Sequence, residues 1–129
     1  MSDKKAVVYC RTATTEQDIN AQLELCKQYA DEHGYKPELV FKDHGLSAND
    51  VRPELGKMKE YIKANHGKTL IVKSFDRLYR DLTKMNEFVQ FAKNANYNVV
   101  SANANDRSLK ELEFICGIDK IRKEQEASE

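Results

Sequence analysis

The residues best suited to chemistry in this chain are arginines. Arg11 stands in "YCRTATTEQ" (Tyr9–Gln17), with three threonines, a glutamine and, at the centre, Ala13. Arg52 ends the polar stretch "DHGLSANDVR", and Arg77 and Arg80 lie three residues apart in "FDRLYR". A guanidinium keeps its charge at any ordinary pH, and its fork matches phosphate oxygens. Gathered at one place, Arg11, Arg52, Arg77 and Arg80 would bind a phosphodiester and stabilise the charge that develops in phosphoryl transfer. A helical turn would put Arg77 and Arg80 on one face. The opposing reading is arginines on unrelated surface loops, and spacing alone supports both.

Other polar residues have double readings. Asp76 can orient a neighbouring arginine through a carboxylate–guanidinium pair, or begin the following helix. Gln17 and Gln22 fall near the start of the first expected helix. Gln17 reads in part as a cap, and Gln22 as facing either solvent or a site. His33, His44 and His66 are scattered and lack ligand-like spacing, so no metal site is expected. Asp43, at a strand end, could take a cation, on the strength of one carboxylate. The glycine patterns of nucleotide-binding loops are absent, and no cofactor is expected. Cys10, Cys26 and Cys116 are far apart and odd in number, and read as buried hydrophobes in a reducing compartment.

The elements that must position these residues alternate. "KAVVYC" (Lys5–Cys10) reads as a buried strand, followed by a helix from Thr15 to His33 with Thr14 and Gln17 at capping-box spacing. Ile19, Leu23, Cys26 and Ala30 make its apolar face, and Gly34 stops it. "PELVFK" (Pro37–Lys42) is a second strand, and Asp43–Arg52 a polar loop. Pro53 opens the next helix, lined by Leu55, Met58 and Ile62 and ended by Gly67. "TLIVKS" (Thr69–Ser74), a helix Leu82–Asn94 and "YNVVS" (Tyr97–Ser101) follow. Ser108 and Glu111 then begin a last helix, with Leu109, Leu112, Ile115, Ile118 and Ile121 on one face and Phe114 beside it. One side of this helix should cover the sheet and the excess would serve self-association, the alternative being an ordinary packed terminal helix.

This order predicts an α/β fold: a parallel-rich sheet with helices on both faces and strand order 2-1-3-4. Ligands in such sheets bind beyond the carboxyl ends of the strands, at the switch point between strands one and three. The segments Arg11–Gln17 and Phe75–Arg80 would meet there.

Composition sets outer bounds. A chain of 129 residues can bury one core without staples. Lys+Arg and Asp+Glu both total 21, which argues against binding nucleic acid by bulk charge yet permits a local basic site. No apolar run approaches the roughly 20 residues that span a bilayer. "MSDKK" lacks the apolar segment of a signal peptide, so no membrane association and a cytoplasmic location are expected.

In order and spacing, the motifs resemble a known family. "VVYCRTATTEQDINAQLELC", "KDHGLSANDVRPELGKM", "LIVKSFDRLYRDL" and "YNVVSAN" together are similar to the catalytic domain of serine recombinases, the resolvase and invertase group. The resemblance runs from Ala6 to Asn103. It implies a flavodoxin-like catalytic domain over residues 1–107, with 108–129 beginning the dimer and linker helix. No separate DNA-binding domain is expected after it. The implied activity is DNA cleavage and strand exchange by a serine that attacks a DNA phosphate, with no metal.

By position, Arg11, Arg52, Arg77 and Arg80 match the family's phosphate-binding, catalytic arginines, and Asp76, Gln17 and Gln22 match supporting polar positions. The family's serine falls on Ala13, whose methyl cannot attack phosphorus. Ala48 stands where a glycine often does. The resemblance therefore implies a recombinase domain without its nucleophile, whose partners are DNA, held weakly, and a second copy or an active recombinase. The alternative is a non-catalytic interaction module that acts by protein contacts. A small phosphate-ligand domain is disfavoured by the lack of a glycine-rich loop.

Overall fold

The computed structural model describes residues 4–14, 18–47 and 50–103. Its elements are β1 (Lys4–Thr12), α1 (Ile19–Glu32), β2 (Tyr35–His44), α2 (Pro53–Ala64), β3 (Thr69–Val72), α3 (Leu82–Asn94) and β4 (Asn98–Ser101), with a single 3-10 turn at Phe75–Arg77. The strands form one parallel sheet in the order β2-β1-β3-β4, as the alternation predicts.

The central strand β1 is buried without a break from Ala6 to Thr12, because both faces of the sheet are covered. Ala6, Val8 and Cys10 face α1 and meet Ile19, Leu23, Cys26 and Ala30. Val7 and Tyr9 point the other way, into a larger core with Leu55, Met58, Ile62, Phe88 and Val89 from α2 and α3. Pro37 sits on edge strand β2, where a missing N–H is tolerated. The register with β1 slips there: Ala6 pairs with Pro37, but Val7 pairs with Leu39.

Several boundaries differ from expectation for physical reasons. β1 does not stop at Cys10: Arg11 pairs with Asp43 and Thr12 with His44, so the ladder outlasts the apolar run. Arg11 is therefore a strand residue rather than a loop residue, and the loop after β2 begins at Gly45. α1 starts at Ile19, and its cap is Asp18, whose carboxylate accepts from the N–H groups of Asn20 (2.9 Å) and Ala21 (3.1 Å). The N-cap of this helix is thus Asp18 and not Thr14, and Gln17 lies outside the described residues.

α2 opens at Pro53, but it ends at Ala64 with Asn65 as its cap. Gly67, at φ +81°, serves the turn into β3 instead, its N–H bonding to the Ala95 carbonyl at 3.0 Å. β3 ends at Val72, two residues earlier than expected, while α3 has the expected bounds. Ala48, Cys116, Phe114 and the expected last helix with its apolar face lie outside the described residues. None of the described helices is long and apolar enough to cross a membrane.

Candidate active site

The arginines that the sequence singles out meet at the carboxyl edge of the sheet. Arg11 ends β1 with only 1% of its surface exposed. Its guanidinium is received by backbone carbonyls: Nε donates to Arg77 O at 2.9 Å, Nη2 to Asp76 O at 2.8 Å and Nη1 to Leu46 O at 3.2 Å. Arg77 reciprocates, its Nη1 donating to Arg11 O at 3.1 Å. Arg52, directly before α2, donates Nη1 to the same Arg77 carbonyl at 2.9 Å and lies 4.9 Å from the centre of the Tyr79 ring. Arg80 is exposed.

Gln22 is part of this frame rather than a solvent residue. The pairing of β1 with β3 stops at Tyr9–Val72, so Arg11 lacks a strand neighbour on that side. The Gln22 amide supplies both missing bonds, accepting from Arg11 N and donating to Arg11 O, each at 2.9 Å. A buried amide N–H and carbonyl left without partners would be costly, which explains a buried glutamine one turn into α1.

Asp76 takes the orienting role that was one of its two readings. Its carboxylate receives a fork from Arg77, Nε to Oδ1 at 3.3 Å and Nη2 to Oδ2 at 3.1 Å, and a bond from the Ser74 hydroxyl. It does not cap α3; Asp81 does, accepting from Lys84 N at 3.1 Å. Burial would push the Asp76 carboxyl up, but the bonds from Arg77 and Ser74 and the charges of Arg77 and Arg80 hold it down at about 2. The Arg11 guanidinium is shifted below its ordinary value, first by burial and then by the like charges of Arg77 and Arg52. The site thus gathers four arginines, and of its carboxylates Asp76 is the one that ion-pairs with any of them among the described residues.

Residues 6–129 match the family profile described as Resolvase, N terminal domain. The chain belongs to that family, the serine recombinase catalytic domains. The fold is similar to the N-terminal catalytic domain of TP901-1 integrase, with TM-score 0.82 and 22% identity over 95% of this chain and 99% of that one. It is similar too to a resolvase family site-specific recombinase from Streptococcus pneumoniae, with TM-score 0.72 and 19% identity over 97% and 93% of the two chains. A serine recombinase from Sulfolobus solfataricus matches with TM-score 0.68 and 21% identity over 89% and 79%. No curated protein matches the sequence.

In this serine recombinase domain the strand alternation separates Thr12 from Ala13. Thr12 is buried, its Oγ1 accepting from Gly45 N at 3.2 Å and its carbonyl from Leu46 N at 2.8 Å. Ala13 and Thr14 are exposed where the strand ends.

Two supporting residues escape sequence reasoning. Asp43 does not await a cation: it is 2% exposed, and its carboxylate accepts from Tyr9 OH (2.8 Å), Glu54 N (3.1 Å) and Leu55 N (3.0 Å). It supplies, from β2, the capping acceptor that the start of α2 lacks locally, since the Arg52 side chain makes no capping bond, and it adds a second negative charge to that of Glu54 in the first turn. Tyr9 holds Asp43 from below, and burial together with that bond pushes its phenol up. Arg52 is the residue before this anchored turn, so the pair fixes where its guanidinium begins. The available signals were a lone tyrosine in an aliphatic strand and an aspartate at the end of the next one.

Proposed function

We propose that this serine recombinase domain grips DNA phosphates and does not cut them. The observation that carries the proposal is the end of β1, where an exposed Ala13 directly follows the buried Arg11 and Thr12. In the family's pattern this position belongs to the nucleophilic serine, and a methyl group has no lone pair to give to phosphorus.

The neighbouring hydroxyls are poor substitutes. Thr12 is turned inward onto Gly45. Thr14 is displaced by one residue, and in-line attack needs reacting atoms within roughly 3–3.5 Å. Arg11, Arg52, Arg77 and Arg80 act as the electrostatic clamp. Gln22 and Asp76 position them, and Gln17 joins these two by its place in the pattern. No step is assigned to a metal or a cofactor. A second copy, or an active recombinase, is the protein partner proposed for the segment 108–129, as a dimer and linker helix beyond a catalytic unit of residues 1–107.

Incubation with nicked and duplex DNA is expected to give weak, salt-sensitive binding and no covalent adduct by mass spectrometry. A phosphothreonine link at Thr12 or Thr14 would replace this proposal with a threonine version of the chemistry. Ala13→Ser alone is expected not to recombine a plasmid, because Arg11 and Arg77 already donate to carbonyls and to Asp76. Efficient recombination by that variant would show that the clamp opens on DNA.

The interaction-module reading has one observation in its favour, the Arg77–Asp76 fork, which closes one arginine on an internal carboxylate. It predicts that neither sulfate nor DNA raises the melting temperature at low salt.

A further inference from the structure

A second feature lies away from the end of β1, in the cleft between α2 and α3. It encloses about 600 Å³, within the range of small-ligand sites. Among the described residues, Arg52, Lys59 and Lys63 line it from the α2 side and Lys84 from α3, against Asp50 and Glu87. The chain as a whole is neutral, so this is a local concentration of positive charge.

Two of these cations share one ring. The Arg52 guanidinium lies 4.9 Å and the Lys59 ammonium 5.3 Å from the centre of Tyr79. A ring face attracts each of them, but it does not remove their mutual repulsion. Neither has an ion-pair partner among the described residues, and Arg52 is 7% exposed. An anion bound between them would relieve that repulsion. The floor of the cleft is aromatic, with Phe88 buried and Phe91 half-buried.

Gly56 adds an independent observation. It sits inside α2 on the wall of the cleft, and a Cβ built there would meet nothing within 4 Å. Glycine weakens a helix interior, and neither backbone conformation nor crowding requires it here. What it does provide is a flat wall where a ligand can lie close.

We propose that the cleft holds a segment of single-stranded DNA, with phosphates on Arg52, Lys59 and Lys84 and a base against Phe91. Cations that track a backbone, combined with aromatic rings, are the chemistry of single-strand binding, where unpaired bases are free to stack. An acidic peptide would answer the charge alone. The single strand is favoured because the cleft is continuous with the phosphate-binding edge through Arg52, whose other partner is the Arg77 carbonyl. The inference rests on the DNA-binding reading above.

Fluorescence anisotropy on the full chain tests it, with a labelled oligothymidylate and a separate labelled duplex. Gly56→Leu fills the cleft and should leave the melting temperature equal or higher. It and the double variant Lys59→Ala/Lys84→Ala are expected to weaken single-strand binding about tenfold, with duplex binding within about twofold of the parent. Arg80→Ala should weaken the duplex. A correctly folded Gly56→Leu that binds the single strand as the parent does would overturn the proposal. So would displacement by polyglutamate as readily as by unlabelled oligothymidylate, which would mark an acidic-peptide site. Displacement by thymidine monophosphate at equal phosphate would mark a free-nucleotide site instead, with the same effect. Duplex binding without single-strand binding would remove this proposal alone. Loss of both would remove the DNA reading with it.

Discussion

At the amino end of the sheet, Lys68 is enclosed by partners of its own. It bonds to the Glu38 carboxylate and, at 2.6 Å, to the Tyr61 hydroxyl, with the Tyr61 ring centre 4.9 Å away. Those bonds raise its pKa. At the carboxyl end, Arg11, Arg52 and Arg77 share the edge with two carboxylates, Asp76 and the buried Asp43, and of the three arginines only Arg77 is ion-paired among the described residues, to Asp76. The others lean on carbonyl dipoles. A carbonyl satisfies a donor's geometry without cancelling its charge. The amino-end cluster is therefore electrically closed, while the carboxyl-end cluster keeps positive charge that its own carbonyl partners do not cancel, which is what the proposed phosphate clamp requires.

The largest test of this contrast is Arg11→Ala. Losing three charged hydrogen bonds from a buried position should cost about 3 kcal/mol in urea unfolding. Arg11→Lys should recover little of it, because the three donors of an ammonium radiate from one nitrogen and cannot reproduce the spread of the guanidinium's Nε, Nη1 and Nη2. Gln22→Leu keeps the bulk but strands the Arg11 amide N–H and leaves the Arg11 carbonyl to Arg77 alone, and should cost about 2 kcal/mol. If Gln22→Leu were neutral, the frame would owe its order to packing and not to its polar bonds.

Acid offers a smaller test. The Asp76 carboxyl is held at about 2 against an ordinary 3.8, so the folded state binds its proton less readily than the unfolded chain does. The stability this lends is whole above about pH 4 and is lost as pH falls toward 2. The Asp76 side chain is 45% exposed, so solvent screens much of the effect. Asp76→Asn should flatten that part of the melting-temperature profile. Lys68→Ala, at the closed end, should shift the melting temperature least and leave DNA binding unchanged. A loss of DNA binding on Lys68→Ala would erase the distinction between the two ends.

Much of this architecture is legible in sequence because it is repetitive. Alternating apolar runs and amphipathic stretches imply a parallel sheet, and Pro53 and the Leu82–Asn94 periodicity mark helices by local chemistry. The site is legible in part: the arginines can be named, but not what holds them. That Arg11 belongs to a strand depends on a backbone ladder that continues after hydrophobicity stops. The role of Gln22 depends on where a neighbouring strand ends, 50 residues along the chain from it at Val72. Asp43 caps a helix that begins ten residues later, at Pro53, a relation no local pattern encodes. Asp18 was readable as a cap, since it directly precedes Ile19, but the Thr14–Gln17 spacing competed with it.

The Arg77 carbonyl accepts from both Arg11 and Arg52, so one oxygen ties together the end of β1, the entrance to α2 and the 3-10 turn. Opening that turn would release two guanidinium groups at once, both from buried residues. The turn is therefore not a separate low-energy opening unit, as an exposed connection usually is. Its own amides, Arg77 N on Ser74 O and Leu78 N on Phe75 O, should exchange with solvent deuterium as slowly as those of β1. A bound phosphate that drew Arg77 outward would be felt in the exchange of all three segments together.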